Sequence, residues 1–194
     1  MPITVIGKGS DDFLMFYDLN DCRLVNNQSV PSEASANSNA TNFASISPSL
    51  REFQNQFNQY AKEVKLDIRM PEIKTEKDYP SKFNVNLNEY LILMGDLNKD
   101  NSIYDVVLMT SNDGSSETVS QQILTIGGMI TAQNPNLKAE DRGRILKKLG
   151  LFADKLDLST LNKSYTENDV TYKLYTIDKV LTFSITPEKG ELTK

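Results

Sequence analysis

The sequence predicts an α+β fold: a mainly antiparallel sheet with about three helices packed on one face, preceded by a small β segment and an Asn/Ser-rich connector. Three observations carry that expectation. Stretches with apolar residues at three- and four-residue spacing follow capping signals, as helices require. Shorter stretches alternate or run apolar, as strands do. The links between neighbouring strand stretches are short and rich in Asn, Asp and Gly, which suits hairpins and is too short for the crossover of a parallel pair. Helices that fall between hairpins are the α+β pattern.

Residues 2 to 25 read as short strands: Ile3, Val5 and Ile6, a turn signal from Gly7 to Asp12, then Phe13 to Tyr17 and Arg23 to Val25. From 26 to 47 the composition shifts to Asn, Ser, Ala and Thr, which reads as a flexible connector. The expected organisation is therefore a β segment over 1–25, a connector over 26–47, an α+β domain over 48–187 and a tail over 188–194.

The first helix follows Pro48, with Ser49 and Glu52 spaced as a capping box and Leu50, Phe53, Phe57, Tyr60, Ala61 and Val64 on one stripe to about Lys65. Pro71 and Pro80 bound a polar stretch expected to be loop or edge strand. Phe83 to Met94 reads as one strand, Gly95 to Ser102 as a turn and Ile103 to Thr110 as the returning strand of a hairpin. The stretch Asn112 to Ser116 supplies an N-cap for a second helix marked by Val119, Ile123, Ile126 and Ile130, which ends at Asn134-Pro135. Gly127-Gly128 inside that helix costs stability, so the missing side chains are expected to admit another element. A third helix runs from Lys138 to Leu149, with Ile145, Leu146 and Leu149 inward and Gly150 as its cap. Strands are expected over 163–166, 170–176 and 180–186.

The chain lacks His and Trp and has one Cys, Cys22, so imidazole chemistry, thiolate zinc clusters and an internal disulfide are closed to it. No cofactor is expected. A net charge of −5 repels polyphosphate, so nucleic acid is not an expected partner. No apolar run is long enough for a spanning helix, and Asp11, Asp12 and Asp18 interrupt the N-terminal apolar stretch as a signal peptide would not allow. The expectation is a soluble chain of open compartment, either cytoplasmic or in the envelope after removal of a leader.

Two strings suggest binding. Asp96-Leu-Asn98-Lys-Asp100-Asn-Ser102 places oxygens at alternate positions, as a hard cation wants, and resembles the opening of an EF-hand-type calcium loop of the dockerin kind. The resemblance implies calcium ligands at Asp96, Asn98 and Asp100. Asn101 stands where such a loop has Gly and Val107 where it has a carboxylate, and an Asp/Asn-rich hairpin turn accounts for the same residues. On the third helix Arg142, Arg144, Lys147 and Lys148 form a basic cluster that either docks an acidic partner or is a solvated face. Asp113-Gly-Ser-Ser116 suits a helix cap better than an anion site, because Asp113 repels phosphate.

No nucleophile–base pattern is present, and Thr160-Leu-Asn-Lys163 is only a hydroxyl relative of a Ser-x-x-Lys arrangement. The expected function is a non-catalytic interaction protein with a protein partner, of the accessory type that accompanies bacterial envelope, phage or toxin–immunity systems. The alternatives are a small-ligand carrier with a pocket between sheet and helices, or a His-free hydrolase using carboxylates and a divalent cation. The connector reading has a direct test: deleting Ser29 to Ala44 leaves the melting temperature nearly unchanged, and a collapse of folding would show a packed element there.

Overall fold

A computed structural model describes residues 4–8, 14–18, 23–24, 44–47, 49–75, 80–111, 113, 115–152, 160–178 and 180–188, and the chain divides into two units, Met1–Ala40 and Thr41–Lys194. In the first unit β1 (Thr4–Lys8), β2 (Leu14–Asp18) and β3 (Arg23–Leu24) form an antiparallel sheet in chain order. Most of the expected connector, residues 26 to 43, lies outside the described residues. Its end belongs to the second unit. Ile46 is buried in the core, its amide donates to the Ile103 carbonyl at 2.8 Å, and Ser47 bridges to Ile103.

The second unit is α+β, with three helices and a six-stranded antiparallel sheet. In chain order it contains α1 (Leu50–Glu63), β4 (Lys82–Asn88), β5 (Leu91–Leu97), β6 (Ile103–Thr110), α2 (Ser116–Gln133), α3 (Ala139–Lys148), β7 (Asn162–Glu167), β8 (Val170–Ile177) and β9 (Val180–Pro187). The sheet order is β4-β5-β6-β9-β8-β7, so two meanders meet where β6 pairs with β9. The single strand expected over Phe83 to Met94 is two strands. Asn88 breaks it: its Oδ1 accepts the Tyr90 amide at 2.8 Å, which closes a turn inside what reads as one apolar run.

Helix ends follow their caps. Ser49 Oγ accepts the Glu52 amide at 3.1 Å, and Ser115 Oγ accepts the Thr118 amide at 3.1 Å. Gly150, at φ 84°, supplies the left-handed residue after α3. The extended segment after α1 is fixed by a two-way amide contact, Asn58 with the Met70 backbone at 2.8 Å in each direction, and buries Leu66, Ile68 and Met70 in alternation. The α2 helix is tied at both ends by glutamines: Gln122 Nε2 donates to the Ser111 carbonyl and Tyr172 Oη donates to Gln133 Oε1, both at 2.7 Å.

The strand residues that share the apolar core with Phe53, Phe57, Ile126, Met129 and Ile145 have one parity across the sheet. Phe83, Leu93, Val106 and Leu108 belong to it, with Leu174, Phe183 and Ile185 on the other meander. Of the stripe expected on α2, Ile126 and Ile130 are fully buried and Ile123 half-buried, while Val119 in the first turn is 39% exposed and Thr118, Gln122 and Thr125 are buried beside the stripe.

The glycine pair of α2 lies against α1. A Cβ on Gly127 would stand 2.7 Å from Tyr60 Oη, and one on Gly128 2.9 Å from the Phe57 ring, both closer than packed atoms tolerate. Replacing either glycine with leucine is therefore expected to cost about 1–3 kcal/mol by overpacking, measured by urea denaturation. Gly143→Ala is the control, since nothing lies within 4 Å of its Cβ, and it should stabilise by roughly 0.5–1 kcal/mol through helix propensity.

Candidate functional site

Side chains alternate across a strand, so the residues between the core positions form a second face of the sheet. One row across it reads Asn86, Ile92, Met109, Thr182 and Tyr175; the next reads Asn84, Met94, Val107, Ser184 and Lys173. Ile92, Met94 and Val107 are half-buried, and Met109, Thr182 and Ser184 at the centre of these rows are buried, although none of the four aliphatic residues belongs to the contiguous core cluster around Phe53 and Phe57. The face has two unlike halves. Strands β5 and β6 carry the aliphatic side chains, and β9 and β8 carry hydroxyls, the Tyr175 ring and Lys173, whose ammonium lies 4.9 Å from that ring centre.

A third row holds the charges. Lys82 pairs with Asp96 at 3.5 Å, and Asp105 stands opposite Asp96 on the neighbouring strand, accepting the Asp96 amide at 2.9 Å. Burial, and then the adjacent Asp96 charge, push the Asp105 carboxyl up to about 6, against the opposing pull of the Asp96 amide and Lys82.

The expected calcium residues are divided between this face and the turn that follows it. Asp96 sits on β5 with Lys82. Asn98 is buried and donates to Ser102 Oγ at 2.9 Å, while Asp100 Oδ1 accepts from the Ser102 amide at 3.0 Å and from its hydroxyl at 2.6 Å. Those Ser102 hydrogen bonds hold the Asp100 carboxyl below the ordinary carboxylate range. Asn101 takes the left-handed conformation, φ 63°, that calcium loops give to Gly. Among the described residues no group of three or more His, Cys, Asp or Glu side chains is placed to hold a metal ion.

The basic cluster of α3 is also divided. Arg142 donates to the Leu137 carbonyl at 2.6 Å and lies over the Tyr60 ring at 5.9 Å. Arg144 binds Asp141 at 2.7 Å and Glu167 of β7 at 2.5 Å, contacts that raise its pKa further. Lys147 and Lys148 are exposed in the last turn. Asp113 stands two residues before the Ser115 cap of α2 and accepts the Ser115 amide at 2.8 Å; the amide and hydroxyl of Ser115 hold its carboxyl down to about 2.

An open groove of about 550 Å3 lies beside the start of α1, its walls mixed between Arg51, Gln54, Asn55 and Glu72 and the apolar Leu50, Ile73 and Leu97. Among the described residues, no helix is long and apolar enough to cross a membrane. No protein-family model, curated protein or solved structure matches the chain.

Two measurements follow from this geometry. An acid whose pKa is higher folded than unfolded binds its proton more tightly in the native state, so its stabilisation is present below about pH 4 and is lost as pH rises through about 6. Asp105→Asn keeps the acceptor for the Asp96 amide, and is expected to flatten that slope and to stabilise the protein at neutral pH by on the order of 1 kcal/mol, read from denaturation at a series of pH values. If the 98–102 turn is held by its own hydrogen bonds, millimolar calcium gives no binding heat and Asp100→Asn leaves thermal stability unchanged. Saturable micromolar binding lost in that variant would make the turn a calcium site.

Proposed function

We propose that the chain is a non-catalytic interaction protein, of the accessory kind, and that its working surface is the second face of the sheet. The observation that carries this reading is the aliphatic group Ile92, Met94, Val107 and Met109, which lies on strands paired at the sheet centre but outside the apolar core. An apolar patch rimmed by hydroxyls and charges has the composition of a protein-docking surface. The flanking Asp96, Asp105 and Lys82 give it an orientation-setting rim.

The carrier reading has less support, because the groove beside α1 is open and its polar walls include both Arg51 and Glu72. A carboxylate hydrolase would use the Asp96–Asp105 pair, and Lys82 already answers Asp96 there. The exposed Lys147 and Lys148 give α3 a secondary place in the proposal as a contact for an acidic partner.

The test is affinity capture from the source cells with the wild-type chain, Met94→Lys and Lys147→Glu/Lys148→Glu, followed by reconstitution of the captured protein from purified components. Met94→Lys should keep the wild-type melting temperature and weaken binding about tenfold or more, as a charge buried at an interface does. Binding that survives Met94→Lys and is lost in the lysine pair would move the working surface to α3.

A further inference from the structure

The β7 edge of the six-stranded sheet is self-complementary, and we infer that a second copy of this chain adds to it, β7 pairing antiparallel with β7 about a two-fold axis at Tyr165. The sheet then runs on through both copies. The inference goes beyond the working surface proposed above and does not rest on it. Of the two edge strands, β4 is partly covered by the bridge from Thr75 to Phe83, whereas among the described residues only β8 pairs with β7. Asn162, Lys163, Ser164 and Thr166 are exposed. Lys163 lies on the same side of the sheet as the buried Leu174 opposite it, so the helices stop short of the edge at that point.

The hydrogen-bond ladder restricts the register. The Thr176 amide donates to the Leu161 carbonyl at 3.2 Å, and Asn168 and Asp169, both at positive φ, form a two-residue turn between Glu167 and Val170. Bonded pairs alternate along an antiparallel ladder, so Lys163, Tyr165 and Glu167 turn their peptide groups toward β8, and Asn162, Ser164 and Thr166 turn theirs outward. An added strand must match outward residue to outward residue, which allows every second register. Pairing about Tyr165 sets Ser164 of each copy against Thr166 of the other, for about four main-chain hydrogen bonds in all. It also sets Lys163 of each copy against Glu167 of the other. The allowed register to one side puts Lys163 opposite Tyr165, and the one to the other side leaves only residues 165–167 of the strand paired.

Charge selects the same register. Asp141 and Glu167 share the single guanidinium of Arg144, so that network keeps a net negative charge, while Lys163 has no ion pair among the described residues. A lysine in an edge strand opposes indiscriminate pairing. Here the partner copy supplies it with a carboxylate inside the strand, on the side where Arg144 already stands. One short strand pair is a small interface, so the dissociation constant is expected at about 10–300 µM.

The experiment is sedimentation equilibrium of the full chain from about 10 µM to 1 mM, with variants checked for folding by circular dichroism. The wild type should pass from monomer to dimer. Ser164→Pro removes an outward donor and nothing from the chain's own ladder, and should raise the dissociation constant about tenfold or more. Lys163→Glu and Glu167→Lys should each weaken the dimer, and their equimolar mixture should recover it, because both cross-copy pairs are then of opposite charge. In a Cys22→Ser background, Tyr165→Cys should form a disulfide-linked dimer on mild oxidation, and Thr166→Cys, whose two copies lie about 8 Å apart, should not.

A wild type that stays monomeric throughout overturns the inference. So does a dimer that tolerates both Ser164→Pro and Lys163→Glu, since self-association then uses another surface. A mixture that fails to recover the dimer, or Thr166→Cys linking as readily as Tyr165→Cys, contradicts the axis. If Ser164→Pro does not fold, the charge pair and the cross-link decide the matter.

Discussion

Strands β6 and β9 are neighbours in the sheet but are separated in sequence by both α2 and α3, so their pairing closes the largest loop in the fold and joins its two meanders. Its register, Val106 with Ile185 through Thr110 with Leu181, decides which side chains face inward on both sides of the seam. A slip of one residue would exchange Leu108 and Phe183 for Val107 and Ser184 in the core. Long-range strand pairing is costly in chain entropy and is repaid only when the apolar face it creates is covered. The core cluster that buries those strand residues also contains Ile126, Met129 and Ile130 of α2 and Phe53 and Phe57 of α1.

That arrangement explains where the unusual residues of α2 are found. The helix needs α1 close beside it, and Gly127 and Gly128 supply the space into which Tyr60 and Phe57 pack. Its buried face also carries Thr118, Gln122 and Thr125, and two glutamines fix its ends, to Ser111 at the end of β6 and to Tyr172 of β8. The helix thus bridges the seam by directional contacts at each end. On the other side of the sheet the same register collects Ile92, Met94, Val107 and Met109. The proposed function therefore depends on the same contact as the fold.

Much of this was legible in the residues. Capping serines, the stripe on α1, Gly150 and the terminal three-strand meander stand where spacing and turn chemistry place them, because each is a local matter. The division of Phe83 to Met94 was missed because Asn88 closes its turn with its own side chain and leaves the apolar run unbroken. On α2 Ile126 and Ile130 are buried as the apolar stripe expects, and Gln122 joins them because the Ser111 carbonyl outside the helix accepts from its side-chain amide, a contact that apolar spacing does not signal. Asp105 is one acid among 26 in the sequence, and its raised pKa comes first from burial and then from the Asp96 charge opposite it, neither of which spacing shows. The second face was illegible because its members come from five strands, and strand order is not a local property.

The central claim is that adjacent residues of β6 face opposite worlds. It is tested most directly by placing the same charge on two neighbours, Leu108→Lys and Val107→Lys, and measuring unfolding free energy at concentrations too low for association. Leu108 is fully buried in the core, so its lysine variant should not fold, whereas Val107→Lys should lose no more than about 1 kcal/mol. Equal losses at the two positions would place both faces of the sheet in the interior and contradict the account.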